Sequence, residues 1–183
     1  NMTIWITSDT HFGHTNIMKY CSRQFSDVWE MNVAISQAWN ARVKEDDIVL
    51  HLGDVTLMSK PSKGVGTTEL IRNLKGRKIL LTGNHDCKGM IEAYGEWGWK
   101  VREQIIVGDV LFIHVPIRPK PDGINLVIHG HNHGQFKAPL HLDGFVDIGV
   151  DAVEGYAPVE LCKLVTAEQY ELIQNELLKI LSE

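Results

Sequence analysis

Hydrophobic positions along the chain fall into short apolar runs separated by longer amphipathic stretches. Thr3-Ile4-Trp5-Ile6-Thr7-Ser8 is apolar and β-branched and predicts a first strand ending at Asp9. From Val28 to about Val43, the residues Val28, Met31, Ile35, Ala38, Trp39 and Arg42 recur at helical spacing, with Asp27 placed to cap the first turn. Ile48-Val49-Leu50-His51-Leu52 predicts a second strand stopped by Gly53, and Lys78-Ile79-Leu80-Leu81-Thr82 a third running into Gly83. Between them, Ser59 to Thr68 is rich in Gly, Ser and Lys and predicts a loop, followed by a short helix from Thr68 to Leu74. Strand, helix, strand, helix, strand is the grammar of parallel pairing with right-handed crossovers.

After a helix near Lys88 to Tyr94 the texture changes. Gln104 to Val107, Val110 to His114, Asn125 to His129 and Phe145 to Ile148 predict short strands without helices between them, hence a mostly antiparallel or mixed sheet. Thr166 to Leu181 is helical, with Tyr170, Ile173, Leu177 and Ile180 on one face and Thr166 as its cap. Two sheets packed face to face and flanked by helices, in one domain over residues 1–183, is the simplest architecture.

Composition narrows the class. The 183 residues are 44% hydrophobic and 22% charged, which excludes disordered and collagen-like chains. No apolar run approaches the ~20 residues that span a bilayer, and no signal peptide is written here, so no membrane association is expected. Asn1 ahead of Met2 reads as an added residue before a natural start. Three scattered cysteines (Cys21, Cys87, Cys162) form no disulfide framework, and a cytoplasmic location is expected. A net charge of −5 argues against coating nucleic acid through the overall field. No obligate protein partner is evident.

Nine histidines are the compositional oddity, and their placement matters more than their number. Asp9-Thr10-His11, Gly53-Asp54, Gly83-Asn84-His85-Asp86, His114 and His129-Gly130-His131-Asn132-His133 all stand at the carboxyl ends of predicted strands. Open α/β sheets place their sites there, and the glycines are expected to let the backbone turn sharply. A lone Asp-x-His or Gly-Asp is commonplace, but three histidines in five residues serve no packing purpose. Asp9, His11, Asp54, Asn84, His114, His131 and His133 offer oxygen and imidazole nitrogen without thiolate. Such a set suits manganese, iron, zinc, nickel or cobalt. Seven donors are too many for one tetrahedral ion and fit two ions about 3.5–4 Å apart that share a carboxylate. Asp54 is the natural bridge.

These ordered motifs resemble the calcineurin-like metallophosphoesterase superfamily over about Ile4 to His133. Asp147-Ile148-Gly149-Val150-Asp151 followed by Tyr156-x-Pro158 is similar to the tail of its compact bacterial and phage members. The resemblance implies an αββα sandwich of two mixed sheets. It also implies two divalent ions as cofactor, manganese first, with iron, zinc, nickel or cobalt also fitting. Asp9, His11 and His133 would hold one ion with Asp54; Asn84, His114 and His131 would hold the other, with Asp54 bridging. His85 would be the catalytic histidine that is not a ligand. The implied reaction is hydrolysis of a phosphomonoester or phosphodiester by a metal-bridging hydroxide, with His85 assisting the leaving group. A nucleotide or a nucleic-acid end is an expected partner, since two bound ions would bring the net charge of −5 to about −1.

The pattern has departures. Gly53-Asp54 continues as Val55-Thr56-Leu57-Met58, without the Asp-Arg pair of the protein phosphatase branch, so resemblance to that branch stops at the metal core. A non-catalytic metal-binding scaffold of the same fold is the alternative. A metallo-β-lactamase fold is disfavoured, because its His-x-His-x-Asp-His signature is missing. Of the remaining polar residues, His14 is read as a substrate contact or a structural hydrogen bond, His51 as core or support, and Asp86 as a helix cap or an orienter of a ligand histidine. Arg23, Lys60, Lys63 and Arg118 are candidates for phosphate contact, and His141 carries no assignment.

Overall fold

Four parallel strands form the first sheet of the computed structural model, which describes residues 1–135 and 143–183. They are β1 (Ile4–Thr7), β2 (Ile48–His51), β3 (Arg77–Leu81) and β4 (Lys100–Arg102). A two-residue strand, Val159–Glu160, pairs antiparallel with β1 at the free edge. The second sheet runs β5 (Gln104–Val107), β6 (Val110–Ile113), β7 (Leu126–His129) and β8 (Phe145–Asp147); numbered in chain order, the edge strand of the first sheet is β9. Only the β5–β6 pairing is antiparallel among these, so both sheets are mixed.

The two sheets share one apolar layer. Ile4, Ile6, Leu50, Ile79 and Leu81 of the first meet Val110, Phe112, Ile128 and Val146 of the second. Alternation along each strand does this: Ile4 and Ile6 face the partner sheet, whereas Val49 and Leu80 face the opposite way, into a second cluster with helical residues. That outer layer comprises α1 (Thr15–Tyr20), α2 (Val28–Arg42), α3 (Val65–Arg72) and α4 (Lys88–Glu96), which contribute Ile17, Met31, Ile35, Trp39, Ile71, Met90 and Tyr94. The last helix, α5 (Ala167–Leu181), inserts Ile173, Leu177 and Ile180 into the layer between the sheets. Its first turn is closed reciprocally by Thr166 and Gln169, which satisfies two otherwise orphaned amides. No helix among the described residues is long and apolar enough to cross a membrane.

Two local expectations change. Helix α3 begins at Val65 rather than Thr68, because Gly64 ends the preceding 3-10 turn Pro61–Lys63 and lets Val65 start a helix with its side chain 70% exposed. The predicted loop is therefore shorter. Helix α2 buries Asn32 and Ser36 beside Met31, Ile35 and Trp39, while Ala38 is only half-buried. Asn32 is there for its amide: Oδ1 accepts the Gly13 N–H at 2.8 Å and thereby fixes the turn that follows Asp9 and His11. His141 lies outside the described residues.

One carboxylate ties the first two strands together. Asp47 accepts hydrogen bonds from Thr3 N at 2.8 Å, Trp5 Nε1 at 3.0 Å and Lys44 N at 2.9 Å. Burial alone would raise this carboxyl, but the three donors outweigh it and hold it below its ordinary value. Asp47→Ala is expected to destabilise the protein by about 1–3 kcal/mol in urea unfolding, because three donors lose their acceptor. A depressed folded value adds stability above the unfolded value and loses it as pH falls through the folded one. The gap between wild type and variant is therefore expected to narrow as pH falls below about 4, and a gap that does not change with pH would contradict this account.

Candidate metal centre

All five predicted segments converge at the carboxyl ends of β1, β2, β3, β6 and β7. Two turns are clamped to each other by main-chain bonds, Asp9 N to Gly53 O at 2.9 Å and His11 N to Asp54 O at 3.1 Å. Asp9, His11, Asp54 and His114 are each no more than 2% exposed, His131 and His133 are half-buried, and Asn84 and His85 are exposed at the mouth.

Backbone conformation delivers these side chains. Asp9, His11, Asp54, His131 and His133 all have φ between 50° and 70°, the left-handed region that residues with a Cβ rarely occupy. Sharp turning therefore falls to the donors themselves more than to the neighbouring glycines. Gly53 does turn, with φ 105°, but Gly83 and Gly130 are needed for space. A Cβ on Gly83 would stand 2.6 Å from Asp54 N, and one on Gly130 would stand 2.9 Å from Ser8 Cβ.

The donors fall into two groups that meet at one oxygen. In the first, His11 Nε2 and His133 Nε2 each lie 3.8 Å from Asp9 Oδ1, and His11 Nε2 lies 3.5 Å from Asp54 Oδ2. In the second, His114 Nε2 lies 3.1 Å from the same Asp54 Oδ2 and 3.0 Å from Asn84 Oδ1, which is 3.2 Å from His131 Nδ1. Asp9 Oδ1 and His11 Nε2 are buried polar atoms without a hydrogen-bond partner, which is costly unless a cation completes them. Separations of 3.5–3.8 Å suit donors sharing an ion at about 2.0–2.2 Å. By this test the residues fit divalent metal ions.

The outward polar atoms of the four buried donors are already engaged, which leaves their inward atoms open. Asp9 Oδ2 accepts Ser8 Oγ at 2.7 Å and His131 N at 2.9 Å, and Asp54 Oδ1 accepts His85 N at 2.9 Å. His114 Nδ1 donates to Leu52 O at 2.7 Å, and His11 Nδ1 lies 3.1 Å from His14 Nδ1. Burial would raise the Asp54 carboxyl, but His11 and His114 outweigh it and hold it well below the usual carboxylate range. Burial likewise disfavours charge on His133, yet the Asp151 carboxylate against its Nδ1 raises the imidazole to about 10. Proton and metal therefore compete at His133.

Comparison with known proteins decides the family. The profile of the calcineurin-like phosphoesterases matches residues 2–119. The chain belongs to the calcineurin-like phosphoesterase family. That membership brings metal-dependent phosphoester hydrolysis in general, with divalent ions as the cofactor class. An uncharacterized protein of Methanocaldococcus jannaschii is 35% identical, covering 88% of this chain and 89% of its own. The gene 66 protein of Mycobacterium phage L5 is 29% identical over 81% and 86%. Among solved structures, a protein of unknown function from Aquifex aeolicus superposes with a TM-score of 0.70 at 25% identity, covering 90% of this chain and all of its own. The Pseudomonas putida nuclease MPE shares the fold with a TM-score of 0.51 at 18% identity, covering 71% of this chain and 61% of its own.

Within this phosphoesterase the remaining candidates sort clearly. His51 supports the turns: its Nδ1 accepts Gly53 N at 3.1 Å, and its Nε2 lies 3.1 Å from Thr10 Oγ1, which donates to Val55 O. Burial lowers it to about 3, so it stays neutral, as that bonding pattern requires. His14 is lowered to about 4, first by burial and then by His11, and its contact with His11 favours the structural reading. His129 turns Nδ1 to Gly130 O at 2.8 Å and stays out of the cluster. Asp86 neither caps α4, whose cap position is Cys87, nor touches a histidine side chain. It accepts the amides of Gly83, Asp54 and Val55 at 2.8–3.0 Å and so fastens the second motif to the third.

The basic candidates mostly point elsewhere. Arg118 pairs with Asp143 at 3.2 Å and lies over the Phe145 ring. Lys60 and Lys63 are exposed beside the 3-10 turn before α3. Arg23 is 3% exposed and engaged with Asp151, so it cannot meet a phosphate. Sequence reasoning missed Asp151, although it ends the Asp147–Asp151 motif that the resemblance had singled out.

Proposed function

We propose that the protein hydrolyses phosphate esters at a centre of two divalent metal ions, manganese being the first candidate. Asp9, His11 and His133 would hold one ion and Asn84, His114 and His131 the other, with Asp54 as the carboxylate shared between them. The observation that carries this reading is Asp54 Oδ2, which stands 3.5 Å from His11 Nε2 and 3.1 Å from His114 Nε2, where the two donor groups meet. Bound there, the ions would neutralise the ester oxygens and lower the pKa of a coordinated water from 15.7 toward about 7.

The chain itself does the rest. Four buried donors exclude bulk water from one side, so an ester approaches from the side where Asn84 and His85 are exposed. The His85 amide is pinned to Asp54 Oδ1, and its ring centroid lies 5.6 Å from that of His11, which places the imidazole over the mouth. From there it donates a proton to the departing oxygen. Tyr20, 67% exposed, lies beside His14, and Val115, 44% exposed, follows His114. Such exposed apolar side chains next to cluster residues suit an ester with an aromatic or nucleotidic part, such as a nucleotide or a nucleic-acid end.

The test is hydrolysis of p-nitrophenyl phosphate and of its bis ester by metal-stripped protein reloaded with Mn²⁺ or Ni²⁺. Metal-dependent turnover of at least one is expected, and the ratio between them separates monoester from diester preference. Uptake of two ions with no turnover of either ester, or of a dinucleotide, would favour the scaffold.

A further inference from the structure

Behind the proposed metal donors lies a buried arginine, Arg23. Its guanidinium is buried and grips Asp151 with two bonds, Nε to Oδ1 at 2.8 Å and an Nη to Oδ2 at 2.9 Å. Two further donors reach main-chain carbonyls, Thr10 O at 2.8 Å and Asp9 O at 2.7 Å, and another meets Met31 Sδ at 3.6 Å. Those carbonyls belong to the turn in which Asp9 and His11 hold left-handed backbone. Asp151 Oδ2 in turn lies 2.7 Å from His133 Nδ1. The carboxylate is an acceptor only, so Nδ1 carries the hydrogen and Nε2 is left as the donor atom toward Asp9.

We propose that Arg23 and Asp151 are positioning residues for one ion only, the one shared by Asp9, His11 and His133. They act by fixing the orientation of His133 and the turn at Asp9–Thr10. The proposal rests on the two-ion reading above. Its one-sidedness distinguishes it from a cross-link that serves stability alone. The network touches Asp9, Thr10 and His133 and makes no bond to Asn84, His114 or His131. Buried ion pairs often add little net stability, so a role in orienting a ligand is the better account of this one.

The experiment is calorimetric titration of Mn²⁺ into the metal-stripped full chain, as wild type and as Asp151→Asn. Asparagine keeps the shape and still accepts from Nδ1, but without charge. One of the two dissociation constants is expected to rise about 10–100-fold, as when such outer partners are removed, with the other within about threefold. Equal weakening of both, or of neither, would overturn the proposal. If the wild type takes up one ion only, the two-ion reading fails. The present proposal then stands or falls on whether that single constant rises in the variant. Should Asp151→Asn not fold, long-range ¹H–¹⁵N spectra of the zinc-loaded wild type decide. Hydrogen on Nδ1 of His133 is expected, and hydrogen on Nε2 would overturn the proposal.

Discussion

Asp54→Asn is expected to fold and yet to lose hydrolysis by more than about 10⁴-fold, the scale on which a central catalytic group fails. The amide keeps the shape and still accepts the His85 N–H that Asp54 Oδ1 takes at 2.9 Å. What it loses is the charge on Oδ2, the one atom placed against both His11 Nε2 and His114 Nε2. Two dications brought within about 4 Å repel strongly, and a shared carboxylate offsets that repulsion for both at once. The turn beneath it is held independently, because Asp86 takes the Asp54 and Val55 amides at 2.8 and 3.0 Å. Metal content after dialysis is therefore expected to fall while the far-UV circular dichroism of the metal-free protein stays that of the folded wild type. A variant that keeps two ions at wild-type affinity would remove the bridge from the mechanism.

His85→Ala is expected to do the opposite to metal content. The His85 contact with Asp54 is made by its main-chain amide, so alanine preserves it and both ions stay. Turnover falls by about 10²–10⁴-fold, the usual worth of a positioned general acid. The loss should depend on the ester. A p-nitrophenyl ester releases an anion that is stable without a proton and is expected to suffer little, whereas an alkyl ester needs the proton and suffers most. Comparing kcat for the two esters in wild type and variant gives the readout. An equal loss for both would mean that His85 holds the phosphate rather than protonating the leaving group.

How far the sequence discloses this centre depends on the distance over which its signals act. The helices α2 and α5 are legible because their caps, Asp27 and Thr166, are local, and so are the buried repeats that follow. Helix α1 is not: its cap position is His14, whose side chain makes no capping bond, and only Ile17 of six residues is buried. Strand β4 is hidden for a related reason, since Lys100, Val101 and Arg102 sit half-buried at a sheet edge and show no alternation. The candidate donors are readable as motifs because each stands at a strand end with a distinctive neighbour. Arg23 and Asp151 are not, because they meet across 128 positions. A lone arginine in a loop looks solvated until its partner is known. Asp86 shows the same limit: its acceptor role for Asp54 and Val55 needs the third motif folded onto the second.

The left-handed backbone at Asp9, His11, Asp54, His131 and His133 bears on how this protein can change over generations. Each such residue is held at a penalty of roughly 1–3 kcal/mol relative to an ordinary conformation. Glycine would relieve it but would remove the donor. Selection for heat resistance therefore has no useful route through these five positions, and gains must accumulate in the helical layer and at the sheet edges. Selection for a new substrate meets no such barrier at Tyr20 or Val115, whose side chains are exposed and free of that conformation. Descendants of this chain would be expected to keep the centre and diversify at its rim.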